Sequence, residues 1–465
     1  MTEILLWAGY FAVFAFLVHK GRSKDAVLSG SVGFGVQAFA YVATYISAVA
    51  LVGFGGLAHA YGLQMLLVAA GNVWFGTWAV YRFLAWPTRK WQERLGARTP
   101  AQLLGLGHGS PSLTRAMAFV FALFLGVYGS AVIKGAALLL AEILPVPVWA
   151  LIWLVAIIVG LTVFIGGLRG VLYTEAMQGV VMLVGMLMLV GAIFSKVGGP
   201  WEGMQALAAL PPSDLANNGF VSLSGGERGL FILSLVVVTS IAVWAQPQMM
   251  QRHFAIADPR QLKKTTPLAM FILTVLVGGA YFAAALSRLI LPEVASPDQV
   301  MPKLVQMLLP EFALHIFVLA IVSASLSTAT GIYHIAVSAL SEDLRGRPSN
   351  RLSWFTGIAI CVLVSGGCAQ IKGQLVALLC TTSWSIVGAM ALVRRPRALR
   401  TPQRRGSMGQ RRVRVLLLPR LVPDRLRAHL HLGAAARFRS RGHPALLHRL
   451  PLLMDRLDRG FRPVR

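Results

Sequence analysis

Long apolar segments alternate with short polar connections along almost the whole chain, and this pattern predicts an all-α polytopic membrane protein. Most of these segments have about the 20 residues that a helix needs to cross roughly 30 Å of hydrocarbon. We predict eleven transmembrane helices, at about residues 3–19, 33–59, 61–85, 114–142, 147–168, 171–196, 229–250, 265–292, 312–340, 352–371 and 373–393.

Basic residues in the connections predict the orientation of the chain. The Lys and Arg residues follow odd-numbered helices, at Lys20/Arg22/Lys24, Arg89/Lys90/Arg94/Arg98, Arg169, Arg252/Arg260/Lys263/Lys264 and Arg345/Arg347/Arg351. Connections after even-numbered helices are short or poor in basic residues. Because cytoplasmic loops are enriched in Lys and Arg, the N-terminus is expected outside the cell.

Composition excludes a soluble globular protein, since 56% of the residues are hydrophobic and only 13% are charged. The net charge of +26 suggests a nucleic-acid-binding protein, but +17 of it lies in residues 391–465. The remaining +9 is ordinary for a multi-span membrane protein. We therefore expect a multi-pass protein of the cell membrane whose surroundings are the lipid bilayer, with no nucleic-acid partner.

The last part of the chain differs from the rest. Residues 391–465 contain 20 Arg, no Lys and three acidic residues, and no further apolar segment of helix-spanning length. We predict a transmembrane domain over 1–393 and an arginine-rich, non-native or disordered tail over 394–465. A shifted reading frame in GC-rich DNA explains this composition better than an exposed extension that binds anionic lipid.

Two segments carry polar groups suited to an ion. The second helix contains Ala43-Thr-Tyr-Ile-Ser-Ala48 and then several glycines. This composition weakens a helix and is typical either of the broken helices of transporters or of close helix packing through small residues. In the ninth helix, Ala324, Ser327 and Thr328 share one face and offer a carbonyl and two hydroxyls. Hard cations prefer such oxygens, although Ser and Thr also bond back to carbonyls of their own helix.

Charged residues inside the predicted helices are few. Lys134 is the deepest, and it is either a functional group or a structural partner of Glu142. Glu175, near the start of the sixth helix, is either a functional residue or an interfacial one. We find no catalytic constellation and no cofactor motif, so an enzyme is not expected.

Four motifs, in order and at matching spacing, resemble the sodium/solute symporter family over about residues 1–390. They are Ala43–Ala48, Gly166–Gly170 with Tyr173–Gly179, Gln246–Arg252, and Ala324–Thr328 continuing to Ser341–Asp343. The resemblance implies the inverted-repeat fold of the leucine transporter, with alternating access driven by a sodium gradient. It also implies a sodium ion held by Ala43, Ile46, Ala324, Ser327 and Thr328.

Within the family the chain is most similar to the pantothenate permease and monocarboxylate branch. Where the proline permease has an aspartate, this chain has Tyr45, and where that permease has two aromatic residues, this chain has Thr239 and Val243. These differences disfavour proline as the substrate. The expected substrate is a small organic anion or zwitterion, such as pantothenate or a monocarboxylate. Its candidate contacts are Tyr45, Ser47, Lys134, Gln178, Thr239 and Trp244. The alternatives are a membrane solute sensor with the same fold and an inactive, truncated transporter.

Overall fold

The computed structural model describes residues 2–22, 27, 31–141, 144–224, 226–292, 294, 296–371, 380–381, 383–384 and 386–387. The α-helices are α1 (Thr2–Lys20), α2 (Phe34–Tyr45), α3 (Phe54–Tyr61), α4 (Leu66–Val73), α5 (Trp86–Leu95), α6 (Pro100–Gly107), α7 (Pro111–Leu140), α8 (Val148–Val197), α9 (Pro200–Ala208), α10 (Gly229–Val236), α11 (Pro247–His253), α12 (Leu262–Leu273), α13 (Gly279–Leu286), α14 (Val300–Leu308), α15 (Glu311–Ser338) and α16 (Arg351–Ala369). Short π-helical or 3₁₀ turns extend or join several of them, and the part of the chain described here contains no β-strand.

Ten of the eleven predicted transmembrane helices correspond to helical segments of the described chain. Within the described residues, seven helices are long and apolar enough to cross a membrane, and the pair Gly229–Trp244 and Pro247–His253, bent by 43°, counts as an eighth if it forms one broken span. Two of the seven, Val49–Leu95 with 47 residues and Val148–Val197 with 50, are each much longer than one crossing requires. The eleventh predicted helix, 373–393, lies largely outside the described residues, and the orientation of the chain stays a prediction.

A glycine with positive φ marks the turn inside each of these two long segments. Gly62 has φ of 70° and Gly167 has φ of 53°, in a region that favours glycine. A Cβ on Gly62 would also lie 2.2 Å from the carbonyl oxygen of Phe220. These turns divide the polypeptide where the sequence predicts a boundary between two spans, near 60–61 and near 168–171.

The second span is broken, as predicted. Helix α2 ends at Tyr45, Ile46 has extended backbone angles (φ −99°, ψ 127°), and a π-helical turn at Val49–Gly53 then leads into α3. The Ser47 hydroxyl accepts a hydrogen bond from the backbone N–H of Val49 at 3.2 Å, as an N-cap residue does. The break therefore leaves carbonyl groups of α2 without helical partners and starts a second half-helix beside them.

Helix α15 is the central helix of the bundle. Every residue from Phe317 to Ser338 is buried, and the helix packs against α8, α7, α2 and α16. Helix α8, in contrast, exposes a row of large apolar side chains that includes Leu154, Leu161 and Leu187. A helix buried on all sides beside helices with apolar outer faces is the expected arrangement in lipid.

Close packing between α8 and α15 gives a testable prediction. A Cβ at Gly185 would lie 2.4 Å from the Cβ of Ala320, whereas a Cβ at Gly191 on the same helix would meet nothing within 4 Å. We expect Gly185→Ala to destabilise the protein by about 1–3 kcal/mol through overpacking. The matched control Gly191→Ala should be neutral or stabilising by roughly 0.5–1 kcal/mol. Thermal unfolding in detergent measures both, and equal midpoints would contradict this packing.

Candidate functional site

The break in α2 and the middle of α15 meet in a buried cluster of oxygen atoms. Ser327 Oγ lies 2.8 Å from the carbonyl oxygen of Ala43 and 2.9 Å from that of Ala324. Thr328 Oγ1 lies 3.3, 3.2 and 3.2 Å from the carbonyl oxygens of Ala43, Thr44 and Ile46. The structure thus brings together all five residues that the sequence predicts for sodium, and it adds the carbonyl of Thr44.

The cluster contains more oxygen acceptors than hydroxyl protons. Two hydroxyls supply two protons, but four carbonyl oxygens lie within hydrogen-bond distance of them. Thr328 alone faces three carbonyls with one proton. Both side chains are fully buried, so the surplus lone pairs have no water to solvate them. A small hard cation would satisfy them, because such ions choose oxygen ligands.

A buried ion pair lies directly beside the cluster. Arg252 donates to the carboxylate of Glu175, and both side chains are completely buried. Arg252 Nε also donates to the hydroxyl of Thr44 at 3.1 Å, so the pair contacts the end of α2. Glu175, for which the sequence leaves a functional and an interfacial role open, is fully buried within the protein. Arg252, which the sequence places in a basic connection after the seventh helix, instead belongs to α11 and is fully buried.

A small cavity of about 30 Å³ borders the break. Its described lining contains Tyr45, Ile46, Ser47, Val49, Ala50, Phe54, Asn72, Tyr128, Thr239, Tyr281, Cys380 and Trp384. Three of the predicted substrate contacts, Tyr45, Ser47 and Thr239, are among them, and Ile46 belongs both to this cavity and to the oxygen cluster. No Asp, Glu, Lys, Arg or His is present in the described lining.

The other three predicted substrate contacts lie elsewhere. Lys134 donates to the carbonyl of Ile371 at 3.2 Å, and its suggested partner Glu142 lies outside the described residues. Gln178 Nε2 lies 3.5 Å from the hydroxyl of Tyr10 on α1. Trp244 Nε1 donates to the carbonyl of Phe75 at 2.8 Å. None of the three lines the cavity, so the structure does not bring them together with Tyr45, Ser47 and Thr239.

Asn72 is a cavity residue that was not predicted from the sequence. Its Oδ1 lies 3.1 Å from the hydroxyl of Tyr45, 2.9 Å from that of Thr239 and 3.0 Å from that of Ser240. It is the polar residue of the apolar helix α4, and its neighbours in sequence follow no motif. The only available signal is a polar amide within a membrane helix, which is a functional candidate by general rule.

The sodium:solute symporter family model matches residues 27–377. The chain belongs to this family. A sodium/pantothenate symporter of Haemophilus influenzae is 27% identical over 347 residues, covering 71% of this chain and 69% of that protein. One from Escherichia coli is 28% identical over 324 residues, covering 68% and 65%. A high-affinity proline transporter of Bacillus subtilis is 25% identical over 356 residues, covering 73% and 71%. The chain thus spans about two thirds of the length of these relatives.

A solved structure supports the fold. A Na⁺-coupled sialic acid symporter, in a substrate-bound outward-open state, superposes with a TM-score of 0.70 at 15% identity and covers 84% of both chains. The predicted inverted-repeat fold of the leucine transporter is thereby confirmed. Family and helices together make this a multi-pass membrane protein of the transport class, located in the plasma membrane as in its bacterial relatives.

Proposed function

We propose that the protein takes up a small organic carboxylate, such as pantothenate or a monocarboxylate, together with sodium. Family membership supports sodium-coupled solute uptake in general. The observation that carries the proposal for this chain is the oxygen cluster of Ala43, Ile46, Ala324, Ser327 and Thr328, with fewer protons than acceptors. The ion and the substrate would share Ile46, since this residue borders both the cluster and the cavity.

The half-helix after the break supports a carboxylate as the substrate. The backbone from Ala48 onwards starts a helical segment that continues to Tyr61, and its first residues Val49 and Ala50 line the cavity. The N-terminal end of a helix carries partial positive charge, which favours a carboxylate even though the N–H groups of Val49 and Ala50 already bond to Ser47. A carboxylate at this end would lie close to the sodium ion as well, so each would stabilise the other.

The proposed mechanism is alternating access around this site. A sodium ion between the α2 break and α15 binds oxygens from two helices that are far apart in the chain. It therefore stabilises the conformation in which these oxygens lie close together. Substrate then binds against an already ordered Ile46–Ser47 segment. Transport is proposed to reside in residues 1–393, and residues 394–465 lie outside the described part of the chain.

Uptake by the full chain in proteoliposomes tests the proposal. We expect labelled pantothenate or a labelled monocarboxylate to accumulate when sodium is higher outside, and not when potassium or choline replaces sodium. The control is the same experiment with a sodium ionophore, which should abolish accumulation. Binding of the acid without accumulation would contradict transport and favour a solute sensor.

A further inference from the structure

Helix α6 lies between two neighbours on the side of the membrane that is predicted to be cytoplasmic. The end of α15 holds it through buried carboxylates, and α11 contacts it through apolar side chains. We propose that α6 stays attached to α15 during transport, and that the exit to the cytoplasm opens where α11 separates from α6. This inner gate rests on the proposed function, since it assigns the moving contact of the same alternating-access cycle.

The carboxylate of Asp343, at the end of the turn that follows α15, binds the start of α6. Thr99 donates its hydroxyl proton to Asp343, whose two oxygens lie 2.9 and 2.8 Å from Oγ1, and Gln102 Nε2 donates at 2.9 Å. Thr99 is also the N-cap of α6, because its Oγ1 accepts from the backbone N–H of Gln102 at 3.0 Å. The negative charge of Asp343 therefore lies at the positive end of the α6 dipole, which stabilises it.

Glu342 adds a second attachment. Arg98 Nε and Nη2 lie 3.3 and 3.4 Å from its two oxygens, and Ser349 donates to it through its hydroxyl at 2.9 Å. Glu342 is 2% exposed and Asp343 is 3% exposed. Pulling α6 away would remove the donors of one buried carboxylate and the guanidinium partner of the other, which is costly. We therefore expect α6 to remain on α15.

The contact between α6 and α11 is of a different kind. Leu103 of α6 belongs to one buried apolar cluster with Met250 of α11 and with Phe254, the residue directly after α11. Apolar attraction is non-directional, so surfaces joined in this way can part without leaving a buried charge unpaired. This contact is the one that opens at lower cost.

Helix α11 belongs to a unit that ends at the proposed sodium site. Gln37 of α2 donates to the carbonyl of Arg252 at 2.9 Å, which joins α2 to α11. Both helices end at extended backbone, α2 at Ile46 and α11 at Gln246, so they can swing together about these two points. A sodium ion that joins the α2 break to α15 holds this unit in place and keeps the contact with α6 closed. Release of the ion frees the unit.

Helix α5 is expected to move with α11. Arg89 of α5 donates to the carbonyl of Phe254 at 2.6 Å, so a polar contact joins the two. Residues 96–99 connect α5 to α6 and would take up the difference in movement. The short connection thus separates a moving part from a fixed part.

Two cysteine pairs in the full chain test the inner gate in proteoliposomes. In Leu103→Cys/Met250→Cys, a short methanethiosulfonate crosslinker should lower sodium-driven uptake of labelled pantothenate at least about tenfold, because the exit stays closed. A reductant that cleaves the link should restore uptake. In Thr99→Cys/Asp343→Cys, the same crosslinker replaces the attachment of α6 by a covalent one, so uptake should equal or exceed that of the untreated variant. Wild type with the same reagents is the control.

Thiol labelling measures the gate without relying on uptake. Leu103 and Leu104 are neighbours on α6 with 3% and 4% exposure, but Leu104 packs in the main core and not against Met250. A water-soluble maleimide should label Leu103→Cys at least about threefold faster in potassium than in sodium, since sodium keeps the gate closed. The matched control Leu104→Cys should be labelled slowly in both, after subtraction of the wild-type background.

The possible results separate the gate from the transport proposal. Loss of uptake on crosslinking both pairs, or neither, overturns the inference, and so does labelling of Leu103→Cys that sodium does not change. If wild type accumulates no pantothenate with a sodium gradient, the proposed uptake of this acid fails. The labelling of Leu103→Cys then still decides whether the contact between α6 and α11 opens.

Discussion

Glu175→Gln is expected to destabilise the protein more than any other single charge removal in the described chain. Glu175 and Arg252 are both fully buried, so the neutral amide leaves a guanidinium in a low-dielectric interior without its ion-pair partner. Breaking a buried pair from one side costs about 3–5 kcal/mol. The double variant Glu175→Gln/Arg252→Met should recover much of this loss, because it removes the uncompensated charge as well.

Glu93→Gln is a matched control for this prediction. Glu93 pairs with Arg89 at 3.0 Å one helical turn away, but its side chain is 52% exposed. Removing an exposed charge of this kind should cost less than about 1 kcal/mol. Thermal unfolding of detergent-purified protein compares the variants, and the loss of monodisperse protein with temperature is the readout. A midpoint for Glu175→Gln equal to that of Glu93→Gln would contradict the buried pair.

Thr328→Ala is expected to give the second large effect, which is a loss of sodium affinity and not a loss of stability of the fold. The change removes the hydroxyl that lies within 3.3 Å of three carbonyl oxygens at the α2 break. Losing an oxygen that contacts a charge costs about 1.5–3 kcal/mol, which is a rise of roughly 10- to 150-fold in the sodium concentration for half-maximal uptake. Thr328→Ser keeps the hydroxyl and should restore most of the sodium affinity.

Ser325→Ala is the control on the same helix. The Ser325 hydroxyl is buried but makes no hydrogen bond within the described chain, and it is not part of the oxygen cluster. Uptake as a function of external sodium, at fixed substrate, should therefore be close to wild type for Ser325→Ala. Equal sodium dependence of Thr328→Ala and Ser325→Ala would show that the cluster does not bind the coupling ion.

Features encoded locally could be predicted from the sequence. Apolar length predicted the helices, and the clustered glycines and β-branched residues of the second span indicated a broken helix there, because helix-weakening residues act on their own segment; the break itself lies at Ile46. The i, i+3, i+4 spacing placed Ala324, Ser327 and Thr328 on one face of α15. The pairing of that face with the break came from the family resemblance, since spacing within a helix cannot say which other helix it meets.

Features made by tertiary packing could not be predicted in this way. Glu175 and Arg252 are separated by 77 positions, and each taken alone resembles a charge at the end of a membrane helix. Asn72 accepts hydrogen bonds from Thr239 and Ser240 only because the turn that contains them packs against α4. Lys134 was selected for its depth, yet it lies beside Ile371, 237 positions away, and outside the cavity lining.

The α2 break and α15 are proposed to form a sodium site, and direct binding of radiolabelled sodium to purified protein, with no substrate present, tests this most directly. We expect saturable binding by wild type and by Ser325→Ala, and binding weakened by at least about tenfold in Ser327→Ala and Thr328→Ala. Sodium binding of the same affinity in all four proteins would contradict the claim.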